Sequence, residues 1–214
     1  MINNIFTQEI METVSGIIHV GAHRGEEAAT YTTMGIDKVV WIEPNPDIFK
    51  ELLHYTTTNK FDFLSEYHMV ACGAENNTNQ DFHIVYGPDA GWMVGNKGCS
   101  SLLKPTSTRF KEWHEKTITV PVMKLDDIIK TPEEYQLLCI DTQGADLLVL
   151  EGATKVLKHL DYVLCEVTWS NFEYENNATF IQVVEKMKEQ GFVLSQIFQA
   201  TSDWGDALFT RSTL

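Results

Sequence analysis

Short apolar runs alternate with amphipathic stretches along most of the chain. The runs occupy 16–20, 38–43, 67–72, 136–141, 162–167, 192–198 and 206–210. They are apolar on both faces, as strands covered by helices on each side of a sheet must be. The stretches between them carry helical punctuation. Asn45 stands as a side-chain cap with Pro46 in the first turn behind it, and Phe49, Leu52 and Leu53 then fall on one face. Phe180, Val183, Val184 and Met187 repeat at helical spacing, and Gly191 supplies the stop. Strands alternating with helices predict a mostly parallel α/β sheet.

Residues 74–135 break the rhythm. They hold polar turns, predicted strands at 81–86 and 117–122, a glycine-rich stretch at 87–98 and a short helix near 125–129 that leads back to the sheet. This reads as an insertion within one domain spanning 1–214, and long irregular segments of this kind tend to be lids over sites.

Composition narrows the function. With 43% apolar and 21% charged residues the chain has the surface to bury a core. Its formal charge of −14 would repel nucleic acid and anionic membranes from the body of the protein. No basic stretch followed by an apolar one opens the chain, and no apolar run approaches the ~20 residues of a bilayer span. The expected location is cytoplasmic. The four cysteines are scattered without a CxxC pair, so reduced core thiols are expected and no zinc site.

In open α/β sheets ligands sit beyond the carboxyl ends of the strands. The first run is followed by Gly21, Ala22, His23, Arg24 and Gly25, a turn whose glycines allow a ligand close to the backbone. The second ends in Glu43 and Pro44, 22 positions beyond Gly21. An acidic side chain at about that distance from a glycine turn is placed to accept hydrogen bonds from ribose hydroxyls. A nicotinamide dinucleotide would want G-x-G-x-x-G, but His23 and Ala28 interrupt that fingerprint. Glu26 and Glu27 at the helix start would also repel a pyrophosphate. A ligand with a ribose and no phosphate, S-adenosyl-L-methionine, fits better. Cys72 and Gly73 close the third run with small side chains that leave room for a flat adenine ring. Asp141 with Gln143, and Glu166, end the fourth and fifth runs. Such a carboxylate pair can orient or deprotonate a hydroxyl, or hold a metal ion. His19 and His23 have no third ligand at metal-site spacing, and no metal is expected.

The segments HVGAHRGEE, IEPNP, VPVMKLDDI and above all IDTQGADLLVLEG followed by CEV resemble the FkbM-type class I S-adenosylmethionine-dependent methyltransferases. The resemblance covers about 17–167. It implies a Rossmann-like α/β fold whose seven-stranded, mostly parallel sheet has the order 3-2-1-4-5-7-6, with an inserted lid between the third and fourth core strands. It also implies O-methylation of a hydroxyl on a sugar, glycan or secondary metabolite. Carried over, Gly21, Ala22, His23 and Gly25 form the cofactor turn, and Glu43 with Pro44 the ribose clamp. Asp141 and Gln143 stand where donor meets acceptor, with Glu166 beside them. Asp141 is the candidate base and His23 and Glu166 are its rivals. One departure stands out: the family commonly has Asp where this chain has His19, which puts the fixed charge facing the methionine tail in question.

The insertion reverses the charge locally. Residues 96–124 carry six basic and two acidic side chains, a balance of +4 that leaves −18 for the remainder. Lys97, Lys104 and Arg109, with Ser100, Ser101 and Trp92, are the candidate acceptor contacts, and a cationic lid points to an anionic acceptor. A solvated basic helix face around 109–116 explains the same charges. Trp113 and His83 could complete a stacking wall with Trp92, or belong to the insertion's own small core. An NAD(P)-dependent oxidoreductase and a non-catalytic S-adenosylmethionine-binding domain are the alternatives at the level of function.

Overall fold

A computed structural model describes residues 8–87, 98–106, 114–169, 174–198 and 200–212. Seven strands form the main sheet. In chain order they are β1 (Gly16–Val20), β2 (Lys38–Ile42), β3 (Leu64–His68), β7 (Leu137–Ile140), β8 (Tyr162–Thr168), β9 (Phe192–Phe198) and β10 (Trp204–Arg211). They lie side by side as β3-β2-β1-β7-β8-β10-β9. Counted along the sheet's own strands this is 3-2-1-4-5-7-6. All neighbours are parallel except β10, which runs antiparallel to β8 and β9. Between β3 and β7 the chain builds a second sheet from β4 (Ala71–Cys72), β5 (Asn77–Tyr86) and β6 (His114–Met123), ordered β4-β6-β5.

Alternate residues of each strand feed two separate cores, because successive side chains leave a sheet on opposite faces. Val20, Ile42, Ile140, Cys165 and Ala207 lie in one transverse row and pack against α4 (Leu125–Ile128), α5 (Asp146–Glu151) and α6 (Phe180–Glu189). The row before it, His19, Trp41, Cys139, Leu164 and Leu208, faces α1 (Gln8–Thr13), α2 (Ala28–Met34) and α3 (Pro46–Thr58). Asn45 caps α3 by accepting the Asp47 amide at 3.1 Å, as its sequence predicts. Gly191 follows α6 at φ 81°.

The third strand is displaced from its expected place. The apolar run at 67–72 divides: the sheet takes Leu64–His68, and Ala71–Cys72 leaves to pair with β6. β3 is an edge strand whose Leu64 is 73% exposed, so a both-faces-apolar pattern has no reason to mark it. The predicted strands at 81–86 and 117–122 each extend outward by several residues, since the two pair mainly with each other and their polar ends face water.

His19 belongs to the core. It is 5% exposed, lies against Trp41 with centroids 5.6 Å apart, and its Nδ1 stands 3.1 Å from the Tyr31 hydroxyl. Burial lowers its pKa to about 4, against the opposing pull of Asp141 and Glu26. The folded state therefore binds this proton less readily than the unfolded chain, whose histidine titrates near 6.5. Its contribution to stability is complete above the unfolded pKa and is lost as pH falls from there toward 4. Wild type should lose about 3 kcal/mol more than His19→Gln between pH 7 and pH 4 in urea unfolding. Parallel pH profiles for the two proteins would contradict this account of His19.

Candidate active site

One transverse row beyond the last buried one, the strand ends bring the predicted chemistry together. The ladder pairs Val20 with Ile42 and Ile140, Ile140 with Cys165, and Glu166 with Asp206. Its next step aligns Glu43, Gly21, Asp141, Glu166 and Asp206 across five strands. The Gly21 amide bonds to the Ile42 carbonyl at 2.9 Å and the Asp141 amide to that of Val20 at 3.0 Å, which continues the ladder past the strand ends. Gly21 is at the middle of this row for a steric reason. It holds φ 79°, and a Cβ there would lie 1.8 Å from the Asp141 carbonyl oxygen. Gly25, at φ 75°, leaves room for Leu52 of α3, 2.7 Å from where its Cβ would be.

Glu43 is 6% exposed and tied by both oxygens, accepting the Asn45 amide at 2.8 Å and the His23 amide at 3.0 Å. Burial raises its pKa to about 7; the two amides and the nearby His23 oppose the rise. Pro44 bridges Glu43 and the helix cap. The turn between is narrow. Ala22 is buried, and His23 adopts a left-handed φ of 44° and meets Glu26 Oε1 through Nδ1 at 2.8 Å.

Asp141 is exposed at its strand end. Protein crowding around its carboxylate raises its pKa and Glu27 adds repulsion, while the Gln143 bond and the two histidines oppose. Gln143 is 8% exposed and is the second non-glycine residue of the site in left-handed backbone, at φ 54°. That conformation costs about 1–2 kcal/mol and persists only where surrounding bonds over-determine it. Here the side-chain amide donates to Asp141 Oδ1 at 2.6 Å and reaches Glu166 Oε2 at 3.4 Å. The loop is closed from behind by Asp146, which accepts the amides of Thr142 at 3.4 Å and Gly144 at 3.2 Å. Burial, then the Asp141 charge, raises Asp146 to about 7.

The remaining expectations divide. Ser101 reaches the site loop and Ser100 the small sheet, both as fasteners. Ser100 Oγ accepts the Val85 amide at 3.2 Å, and Ser101 Oγ donates to the Thr142 carbonyl at 3.1 Å. Lys104 stands 3.8 Å from Glu175, an exposed pair of the kind worth about 0–1 kcal/mol. His83 meets Glu115 at 2.6 Å on the small sheet. Cys72 packs in the core beneath the strand ends, and the Gly73 amide bonds to Met123 of β6 at 3.1 Å, because 71–72 joins the second sheet. Trp92, Lys97, Arg109 and Trp113 lie outside the described residues.

Two residues escaped the sequence reading. Asp206 sits directly across the antiparallel ladder from Glu166, and paired residues share a face. Burial and the Asp141 charge raise it to about 6. It opens an apolar run like any strand start, and only the pairing of β8 with β10 gives it meaning. Tyr174 is 1% exposed and its hydroxyl lies 3.3 Å from Gln143 Oε1. It stands in a polar stretch with no periodicity to mark it.

The model of the family described as Methyltransferase FkbM domain matches residues 19–194. Solved structures share the fold at low identity. The magnesium protoporphyrin IX methyltransferase of Synechocystis PCC 6803 with bound SAH superposes with a TM-score of 0.51 at 6% identity, covering 92% of this chain and 73% of that one. A protein of the NADB-Rossmann superfamily from Streptococcus agalactiae gives 0.53 at 9% identity, covering 97% and 68%. At such identities the likeness is one of fold. No curated protein sequence matches the chain.

The Gly21 contact can be separated from backbone strain by comparison with Gly35, which has φ 74° and nothing within 4 Å of an added Cβ. Gly35→Ala should cost about 1 kcal/mol, the left-handed penalty alone. Gly21→Ala should cost at least about 3 kcal/mol, because two strand ends must also part. Equal losses in urea unfolding would show that the close approach is unimportant.

Proposed function

Because the chain belongs to the FkbM methyltransferase family, we propose that it transfers a methyl group from S-adenosyl-L-methionine to a hydroxyl oxygen of a sugar, glycan or secondary metabolite. The observation that carries this reading is the single row in which Gly21 separates a ribose-competent carboxylate, Glu43, from the Asp141, Gln143 and Glu166 cluster. The residues fit the cofactor. Each Glu43 oxygen has one backbone amide and keeps lone-pair capacity for a hydroxyl, which suits the neighbouring hydroxyls of a ribose. Gly21 supplies a floor with no side chain. Family membership replaces the oxidoreductase alternative.

When bound, S-adenosyl-L-methionine supplies an already activated methyl group on a sulfonium. The chain's own task is alignment, exclusion of water and proton removal. Asp141, exposed and with its carboxyl held above its ordinary pKa by the protein around it, is the base we assign to the acceptor hydroxyl. Gln143 fixes the orientation of the Asp141 carboxylate, and Glu166 and Asp206 accept hydrogen bonds from further hydroxyls of the acceptor. Carboxylates in this number favour a hydroxyl-rich acceptor. An anionic one is supported by the basic excess of 96–124. Within that excess Lys104 and Lys124 stand near Glu175 and Asp127, at 3.8 and 3.7 Å, and Lys97, Arg109 and Lys111 lie outside the described residues.

Calorimetric titration should detect S-adenosylmethionine and its demethylated product and give no signal with NAD. Tight NAD binding without response to the other two would overturn the proposal. Product affinity should fall by up to about tenfold between pH 8 and pH 6, because Glu43 titrates near 7 and its ionised form is the better acceptor. Glu43→Gln should bind more weakly and lose that pH dependence. Asp141→Asn should bind the product within about threefold of wild type. It should not transfer labelled methyl to any member of a monosaccharide and glycoside panel that wild type methylates; retained transfer removes Asp141 as base.

A further inference from the structure

Tyr174 does not line the row of carboxylates, yet it touches the group that holds two of them. Its hydroxyl makes a forked donation, to the Cys99 carbonyl oxygen at 2.8 Å and to Gln143 Oε1 at 3.3 Å. A glutamine amide can point either end toward a carboxylate, and only the NH2 end is attractive there. With its oxygen engaged by a hydroxyl proton, Gln143 must turn its NH2 toward Asp141 and Glu166. The ring that carries the hydroxyl is itself fixed. A Cβ on Gly144 would come within 3.2 Å of Tyr174 Cδ2, so the loop backbone passes close against the ring, and Tyr174 bridges to Pro105.

The other partner of the hydroxyl is part of the insertion. Residues 98–106 form a strap held on one side by the small sheet, through the two His83 to Ser101 backbone bonds at 2.8 and 3.1 Å. On the other side the strap is held by the site loop, through Ser101 to Thr142 at 3.1 Å and through Tyr174. The Glu175 amide adds a bond to the Lys104 carbonyl at 2.8 Å.

We propose that Tyr174 is a positioning residue: by holding Gln143 Oε1 it aims the amide at Asp141 and Glu166, and by sharing its hydroxyl with Cys99 it makes that aim depend on the seating of the strap. Its bearing on catalysis rests on the methyl-transfer reading, but the positioning itself can be measured without ligand. The charged groups around Asp141 are His19, His23, Glu27, Glu43, Asp146, Asp206 and Glu166, which shares the Gln143 amide with it, and Tyr174→Phe alters none of them.

The test is the titration of the Asp141 carboxyl carbon by NMR in the full chain. Tyr174→Phe keeps the ring and removes the hydroxyl. The bond from Gln143 holds the Asp141 pKa down, so loosening it should raise the midpoint by about one pH unit. The Gln143 side-chain protons should exchange faster. A purely packing role for Tyr174 would lower the melting temperature and leave the Asp141 midpoint where it is. Ser101→Ala frees the strap from Thr142 without touching the carboxylate cluster, and it should shift the midpoint the same way by a smaller amount; it decides the matter if Tyr174→Phe does not fold. An unchanged Asp141 midpoint in the folded variants overturns the proposal. Failure of the wild type to bind S-adenosylhomocysteine would instead overturn the methyl-transfer reading, so the two fail separately.

Discussion

Gly21 is where β1 and β7 touch at their carboxyl ends, and almost everything about the candidate site follows from that contact. With a side chain at this position the Asp141 carbonyl would have to retreat, since the Cβ would fall at 1.8 Å from it. Without one, the ladder runs a step past the last buried row and carries Glu43, Asp141, Glu166 and Asp206 into one line. β1 also separates β2 on one side from β7 on the other, and in open α/β sheets the crevice forms where connections leave in opposite directions. The glycine turn and the carboxylate loop therefore share a floor because the topology brings two strand ends to one place.

Concentrating carboxylates at a strand-end row has an electrostatic cost, and the local structure is arranged around it. Glu43 is offset by two backbone amides, Asp146 by two more, and Asp141 by an amide side chain. Burial still outweighs these bonds, so Glu43 and Asp146 are raised to about 7 and Asp206 to about 6. The consequence for chemistry is favourable: groups whose proton affinity approaches neutrality exchange protons more readily at physiological pH than ordinary carboxylates. The left-handed residues His23 and Gln143 belong to the same economy of space. Each lets the backbone reverse at once after a strand, keeping both loops close to the sheet.

The second sheet is joined to the rest of the molecule by apolar as well as polar contacts: Cys72 and Met123 pack into a core of the main sheet, and Val85 packs with Cys99 and Tyr174. Its core of Ala71, Phe82, Ile84, Val120 and Val122 is separate from the two cores of the main sheet. What joins it to the carboxylate loop is the strap, through Ser101 and Tyr174. Hydrogen bonds of this kind contribute about 1 kcal/mol each, enough to fix an orientation.

The alternation of apolar runs was sufficient to determine a parallel α/β sheet, because strands buried on both faces must be apolar on both. The caps at Asn45 and Gly191 were legible for the same local reason. So were Gly21, Glu43 and Asp141, each of which directly ends a run or follows one, and Glu166, one residue before the end of its run. The third strand was misread by several residues, since an edge strand such as Leu64–His68 has no need of apolar faces. His19 looked like an altered cofactor contact, yet it lies one row below the strand ends and packs against both Tyr31 and Trp41. Asp206 and Tyr174 were hidden altogether, one placed by antiparallel register and the other by a side chain crossing from a distant segment. By itself, then, the sequence determined which residues end strands, because that is a property of neighbours along the chain. Which of those ends meet was decided only by the tertiary structure, through strand order, register and the one missing side chain that lets β1 and β7 close.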